Sequence, residues 1–123
     1  MPQRSTALLP QRLTRLADYP RLLNALNQGR APLALSGLGA VHRAHLAAGL
    51  HLATQRPLVL VCADEGEAKR AAGDLAAFTG VEPRLLTARE FCFHPSAASR
   101  QWEHQRLETL AALRQGRCPV LVA

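Results

Sequence analysis

Two uninterrupted apolar runs restrict the fold of this chain more than any other feature of its sequence. Residues 57–62 have the sequence PLVLVC and residues 119–123 have the sequence PVLVA, with no polar residue inside either run. Strands buried on both faces of a parallel sheet have this composition, whereas strands with one solvated face alternate apolar and polar residues. After the first run come Asp64 and, three residues later, Glu67, which is the capping-box pattern of a helix N-terminus. The chain is therefore predicted to alternate buried strands with helices.

The first third of the chain predicts a helical lead-in and then a strand, a turn and a helix. Leucines at helical spacing in residues 1–30 predict two short helical pieces, broken at Pro20. Residues 32–36 form a short apolar run that predicts a strand, and a turn containing Gly37 and Gly39 follows it. An Ala-rich helix is predicted after this turn.

The remaining residues continue the same alternation. After Asp64, apolar residues recur at helical spacing until Gly80 ends the predicted helix. Residues 84–87 predict a third short strand, and a helix is predicted over about residues 100–115. This order is typical of an α/β fold, a parallel sheet with helices on both faces. We therefore assign residues 31–123 to an α/β domain, and its final apolar run favours an N-terminal piece of a longer protein.

Composition and charge indicate a folded domain without a membrane span. Hydrophobic residues make up 48% of the chain and charged residues 20%, which is ordinary for globular proteins. The formal net charge is +6, and fourteen of the fifteen basic residues are arginines scattered without a like-charge run. This pattern permits nucleic-acid contact but does not identify it. With no secretory or membrane-spanning run and three cysteines in dissimilar contexts, the sequence favours a reduced, cytoplasmic protein.

The glycine turn has the placement of a phosphate-binding loop but lacks its chemistry. Such a loop has the pattern G-x-x-x-x-G-K-[ST] between a strand and a helix, where Lys contacts phosphates and the hydroxyl holds Mg²⁺. Gly37 and Gly39 are present, whereas Ala34 replaces the first glycine, Ala40 the lysine and Val41 the hydroxyl residue. These five residues are predicted to form a degenerate phosphate loop that binds no cofactor and carries no catalytic residue.

Two other interpretations of the turn stay open. Gly37 and Gly39 also begin the dinucleotide pattern G-x-G-x-x-G, and Asp64 follows the second strand, where an acid can bind ribose. The third glycine of that pattern is His42, which would obstruct close packing of helix on strand. Alternatively, the glycines serve backbone conformation alone, and Gly39→Val is then expected to destabilise the fold if Gly39 has a positive φ.

Histidines and cysteines do not form a recognisable metal site in the sequence. His42 and His45 lie three residues apart on one predicted helix. Cys92 and His94 lie two residues apart, and His104 follows His94 by ten residues. No second pair at zinc-like spacing completes a tetrahedral set of ligands. We therefore predict no metal site.

Trp102 lies at the start of the last predicted helix, near Arg100 and Arg106. An exposed tryptophan beside arginines can stack on a nucleic-acid base. The only tryptophan of a small domain is more commonly part of the core, so we expect Trp102 to pack over residues 91–93. In that position Trp102→Ala is expected to remove about 3–5 kcal/mol of stability.

Four segments, in order, resemble the N-terminal region of the bacterial transcription-repair coupling factor family. They are the strand-SG-x-G-helix turn near residue 36, VCADEGEA at residues 61–68, TAREFCFH at residues 87–94 and SRQWEHQRL at residues 99–107. Together they cover about residues 32–123. The resemblance implies that residues 31–123 are the first part of a RecA-like domain, similar to that of the excinuclease component UvrB, with a degenerate P-loop. Residues 1–30 are then a helical lead-in.

The resemblance also implies a function. Members of that family are ATP-dependent DNA translocases that displace stalled RNA polymerase and recruit the excision-repair protein UvrA, with ATP and Mg²⁺ bound by a motor further along the chain. This segment is then a non-catalytic scaffold that contacts the rest of its own chain. Only about six residues, 94–99, lie where UvrB has a DNA-probing hairpin, so damage probing is not expected. The alternative is a nucleotide-dependent enzyme fragment, with a weak ATP site or a dinucleotide-binding half domain.

We expect the chain to bind neither ATP nor NAD at millimolar concentration. The replacement of Lys and the hydroxyl residue by Ala40 and Val41 removes the strongest phosphate and Mg²⁺ contacts, and His42 crowds the dinucleotide alternative. Equilibrium titration with fluorescent nucleotides measures this. Saturable, Mg²⁺-dependent binding in the micromolar range would contradict the scaffold interpretation.

Overall fold

A three-stranded parallel sheet lies at the centre of the fold, and the last strand in the chain is its middle strand. The computed structural model describes residues 9–88 and 97–123, with the side chains of the final helix described from residue 100 onward. The strands are β1 (Leu58–Leu60), β2 (Arg84–Leu85) and β3 (Val120–Val122), in the order β1-β3-β2. The predicted α/β class and the parallel sheet are therefore confirmed.

Helices pack on both faces of this sheet, as predicted. They are a 3₁₀ helix at Pro10–Arg15 and the α-helices α1 (Asp18–Asn27), α2 (Ala40–Thr54), α3 (Glu65–Thr79) and α4 (Ala97–Arg114). On one face, α2 and α3 enclose Val120 and Val122 of β3. On the other face, Ala112 and Leu113 of α4 pack on Leu121. Within the described residues, none of these helices is long and apolar enough to cross a membrane.

The core between α2, α3 and the sheet explains why both helices are rich in alanine. Ala44 and Ala48 of α2 and Ala68 of α3 are almost completely buried where the two helices meet the sheet. Leu75 is completely buried beside them and supplies the larger apolar surface. Because truncating a buried leucine removes about 2–5 kcal/mol, the α2–α3 contact is a major source of stability.

The helix α3 begins and ends where the sequence predicts. Asp64 is its N-cap, and Asp64 Oδ1 accepts a hydrogen bond from the backbone N–H of Glu67 at 2.7 Å. Such a cap contributes about 1 kcal/mol. At the other end, Gly80 has a left-handed φ of +71°, which glycine adopts without steric cost.

Several predictions about local structure are wrong. Residues 32–36 form no strand, because no other described strand lies beside them to complete a ladder, and residues 31–40 are exposed. The lead-in is broken at residues 16–17 and not at Pro20, which lies in the first turn of α1, where its missing N–H has no helical partner to lose. Gly39 has a φ of −71°, so the condition for a large effect of Gly39→Val is not met.

Two exposures also differ from prediction. β1 was expected to be buried on both faces, but Val59 is 56% exposed and Val61, just after the strand, 76%. Trp102 is 43% exposed, so the prediction of a core anchor is wrong. The stability loss expected for Trp102→Ala assumed that burial. The buried positions of α4, such as Thr109 and Ala112, lie about two turns after Trp102. Trp102 is therefore in the N-terminal part of the helix, before the part that packs on the sheet. Residues 91–93, the predicted partners of Trp102, lie outside the described residues.

The lead-in packs on α2 where a glycine permits close approach. Leu13 of the 3₁₀ helix and Tyr19 of α1 are buried beside Gly49 of α2. A Cβ atom at position 49 would collide with Cδ1 of Leu13 and lie 3.5 Å from the hydroxyl oxygen of Tyr19. Burial at this contact also raises the pKa of Tyr19 by desolvation. The attachment of the lead-in therefore depends on the missing side chain of Gly49.

We expect Gly49→Ala to lower the free energy of unfolding by about 0–2.5 kcal/mol, because the cost of overpacking, about 1–3 kcal/mol, is partly offset by the helix propensity of alanine. Gly73→Ala is the matched control, because nothing lies within 4 Å of a Cβ added at that position of α3. That control is expected to raise the free energy of unfolding by about 0.5–1 kcal/mol, since alanine is the better helix former. Urea denaturation followed by circular dichroism measures both. Equal effects of the two substitutions would contradict the close approach at Gly49.

Candidate functional site

The residues predicted to form a degenerate phosphate loop lie at the N-terminus of α2. Ala40 is the first residue of α2, and Gly39 is its N-cap, with an extended backbone and no side-chain cap. Gly37 has a φ of +80°, so the turn before the helix does use a glycine for its left-handed conformation. All five predicted residues are exposed: Ala34, Gly37, Gly39, Ala40 and Val41.

Positions 40 and 41 present no side chain that could hold a phosphate or Mg²⁺. Ala40 and Val41 place methyl groups where a phosphate loop needs an ammonium and a hydroxyl. Arg43, one turn into α2, donates from Nη2 to Oε1 of Glu67 at 2.8 Å. Its guanidinium is thus already paired with a carboxylate, so it is not a free ligand for an anion.

Glu67 connects the start of α3 to α2. Its Oε1 accepts the bond from Arg43, and its Oε2 accepts a hydrogen bond from the backbone N–H of Ala63 at 3.0 Å. Its own backbone N–H donates to Asp64, which is one half of the predicted capping box. The other half differs, because the side chain of Glu67 accepts from the N–H of Ala63 and not from that of the cap residue Asp64. A half-exposed ion pair such as that of Arg43 and Glu67 contributes about 0–1 kcal/mol. Its main effect is to orient the two helix N-termini.

The residues of the dinucleotide interpretation have structural roles. A Cβ added to Gly39 would lie 3.3 Å from Nδ1 of His42, so the imidazole lies over the N-cap of α2. The carboxylate of Asp64, the predicted ribose ligand, serves as the cap of α3. Neither arrangement resembles a pocket prepared for a nucleotide.

A groove between α2, α3 and the end of β1 adjoins the turn. Apolar side chains that line it include those of Val41, Leu60 and Val61. Its charged residues are two arginines and two acids: Arg43, Arg70, Glu67 and Asp74. Because these charges balance, the groove has no excess of positive charge with which to select a phosphate.

Cys62 lies in this groove and has a raised pKa. Burial of the thiol is the largest cause, and the negative charges of Glu67 and Asp64 raise the pKa further. The positive charge of Arg43 lowers it. A thiol with a raised pKa is mainly protonated at neutral pH and is a poor nucleophile. The direction of this shift does not favour Cys62 as a nucleophile.

The residues considered as metal ligands do not converge. His45 stacks on Phe78 with ring centroids 4.8 Å apart, and its buried Nε2 has no hydrogen-bond partner within the described residues. His42 lies over the N-cap of α2 instead, and Cys92 and His94 lie outside the described residues. In residues 9–88 and 97–123, no three His, Cys, Asp or Glu side chains are grouped so as to hold a metal ion.

Trp102 and Arg100 are both exposed on the first half of α4. Arg106, one turn later, is directed inward, and its Nη1 donates to the backbone carbonyl of Thr87. Because the indole of Trp102 is exposed, burial in the core no longer prevents it from stacking on a base. Only Arg100 stays exposed with it, and one exposed cation and one indole do not make a basic patch.

Known proteins offer no guide to this site. No protein-family model, no curated protein and no solved structure matches the chain. The chemistry available at the site therefore follows from its own residues.

We expect Glu67→Gln to lower the pKa of Cys62 and to speed its alkylation by iodoacetamide at mildly alkaline pH. Glutamine keeps an oxygen acceptor for the N–H of Ala63 but removes the negative charge that disfavours the thiolate. Glu65→Gln is the control, because Glu65 pairs with Lys69 at 2.8 Å and is not among the charges acting on Cys62. Mass spectrometry of the alkylated peptides measures both rates.

The same shift has a consequence for stability. Because the pKa of Cys62 is higher in the folded chain than in the unfolded chain, the unfolded thiol ionises first as the pH rises. The free energy of unfolding should then fall as the pH rises from the unfolded pKa to the folded pKa.

Alkylation rates that are equal in the original chain and in Glu67→Gln would contradict this electrostatic account of the Cys62 pKa.

Proposed function

We propose that this chain is a non-catalytic scaffold and interaction segment from the N-terminal region of a bacterial transcription-repair coupling factor. Residues 1–30 are its helical lead-in, and residues 31–123 are the first part of a RecA-like domain similar to that of UvrB. The order of four family-like segments, ending with SRQWEHQRL at residues 99–107, supports the family. The parallel sheet with helices on both faces supports the fold class. The missing strand at residues 32–36 departs from the RecA-like pattern.

The observation that carries the non-catalytic part of this proposal is the chemistry at the N-terminus of α2. A nucleotide-hydrolysing loop needs an ammonium, a hydroxyl and a free approach to the helix N-terminus. Ala40 and Val41 supply neither group, His42 lies over the cap, and the guanidinium of Arg43 is bound to Glu67. A segment with this turn is suited to packing and not to phosphoryl transfer.

In the whole protein, the catalytic and binding functions are divided between segments. ATP and Mg²⁺ belong to a motor elsewhere in the chain, which moves along DNA in the cytoplasm. RNA polymerase and UvrA are partners of the full-length protein, and this segment contacts the rest of its own chain. The alternative, a nucleotide-dependent enzyme fragment, requires phosphate binding without a lysine at position 40 or a hydroxyl at position 41, and no observation on the described residues favours it.

A chimera tests the proposal. Residues 1–123 replace the corresponding segment of a characterised bacterial coupling factor, and survival after ultraviolet irradiation is measured in cells that lack the native factor. We expect the chimera to restore survival, because a scaffold segment needs only to keep its fold and its contacts within the chain. Val122→Asp is the negative control, since it places a charge in the completely buried core.

Displacement of stalled RNA polymerase by the purified chimera provides a second measurement. A chimera that is soluble, folded and active as an ATPase, but neither displaces polymerase nor restores survival, would contradict membership of this family.

A further inference from the structure

The lead-in and the C-terminal half of α2 enclose a cavity beside Gly49. Its volume is about 450 Å³, and it is partly open to solvent. Most of its wall is apolar, formed by Pro10, Leu23 and Leu52 together with the ring of Tyr19. Protein cavities of about 300–1,000 Å³ with mainly apolar walls are typical sites for small molecules. This one is therefore large enough to hold a small organic molecule.

Tyr19 has a hydroxyl group without a partner in this cavity. The residue is only 5% exposed, yet its hydroxyl forms no hydrogen bond with any described residue. The hydroxyl oxygen lies 3.5 Å from the position that a Cβ atom on Gly49 would occupy, and both residues line the cavity. The hydroxyl is therefore at the wall that Gly49 forms. Because buried tyrosine hydroxyls usually have a partner, this one is available to an occupant.

The remaining polar groups of the cavity come from the 3₁₀ helix. Gln11 and Thr14 lie on one side of it, since such a helix has about three residues per turn. Oγ1 of Thr14 donates to the carbonyl of Gln11 at 2.9 Å, so its proton is already used. None of the residues that line the cavity is charged. The cavity therefore has no group with which to balance the charge of an ion, and it suits a neutral occupant.

Water, polypeptide and a small molecule differ in how well they match this wall. A buried water needs two to four polar partners, whereas most of the wall offers none. A polypeptide segment would bring an N–H and a C=O group for each residue, more than the few polar groups here can satisfy. A mainly apolar molecule with one polar atom matches both the apolar surface and the single free hydroxyl.

We propose that this cavity binds a neutral, mainly apolar small molecule with one oxygen that accepts a hydrogen bond from the hydroxyl of Tyr19. A ketone, ester or ether oxygen fits this role. Desolvation raises the pKa of Tyr19, so the hydroxyl keeps the proton that it donates. The apolar part of the molecule packs on Leu23 and Leu52. Binding at this cavity does not depend on the function proposed above.

The hydroxyl of Tyr19 can be observed directly, because Tyr19 is the only tyrosine of the chain. Tyrosine labelled with ¹³C at Cζ then gives a single signal from the carbon that carries the hydroxyl. The probe is 2-acetylnaphthalene, and its matched control is 2-isopropenylnaphthalene, in which a methylene group replaces the carbonyl oxygen. We expect the ketone to shift the Cζ signal in a saturable manner.

The variant Tyr19→Phe separates the hydrogen bond from apolar contact. It keeps the ring and is expected to fold, since the hydroxyl has no partner among the described residues. The amide shifts of Gly49 and Ala53 measure Kd for both compounds in both chains. The preference for the ketone over the alkene is expected to be about three- to tenfold larger in the original chain, which is the effect of one hydrogen bond.

A second pair of variants locates the binding. Ala53 lines the cavity and is exposed, so Ala53→Leu obstructs the cavity without placing a larger side chain in the core. Ala111→Leu is the matched control, because Ala111 is an exposed residue of α4 that does not line the cavity. We expect Ala53→Leu to weaken binding of the ketone by about tenfold or more, and Ala111→Leu to leave Kd unchanged.

Three results would overturn the proposal. The first is the absence of a saturable Cζ shift up to the solubility of the ketone, which would mean that the cavity holds water only. The second is an equal preference for ketone over alkene in the original chain and in Tyr19→Phe, which would mean that the hydroxyl does not select the ligand. The third is equal Kd in Ala53→Leu and Ala111→Leu, which would place the binding elsewhere.

Discussion

The position of β3 in the middle of the sheet is the constraint on which the rest of the structure depends. Its backbone bonds to β1 on one side and to β2 on the other, so in the described sheet the two outer strands are joined only through it. Its side chains enter both cores, with Val120 and Val122 under α2 and α3 and Leu121 under α4. Every helix that packs on the sheet therefore packs on β3, and the strand that forms the centre is the last to appear along the chain.

Comparison of β1 with β3 shows how far the sequence predicts the fold. The two apolar runs have nearly the same composition, and both were predicted to be buried strands. β3 is buried on both faces because it has a neighbour on each side and helices above and below, whereas among the described strands β1 has a neighbour on one side only. An apolar run indicates that its side chains require partners. It contains no information on whether the partner lies within the same 123 residues.

The candidate site divides in a similar way between local and long-range features. The cap of α3 was predictable because Asp64 and Glu67 are three residues apart, and the lack of a lysine and a hydroxyl at Ala40 and Val41 was visible in the sequence. The bond between Glu67 and Arg43 was not predictable, because 24 residues separate them and only the packing of α2 on α3 brings them together. The exposure of Trp102 was missed for the same reason, since burial depends on where α4 ends relative to the sheet and not on residue type.

The proposed function depends on the corner of the molecule where α2 begins and β1 ends. Val41 at the start of α2 and Val61 just after β1 line one groove, so the glycine turn and the end of β1 are neighbours. In a phosphate-binding loop this position must be polar, because it holds a charged ligand and a metal ion. Here apolar side chains face solvent. Each Å² of their apolar surface that a partner buries would stabilise the complex by about 25 cal/mol. This corner has neither the lysine nor the hydroxyl residue of a phosphate loop and exposes apolar side chains, so it is better suited to apolar contact than to holding a nucleotide.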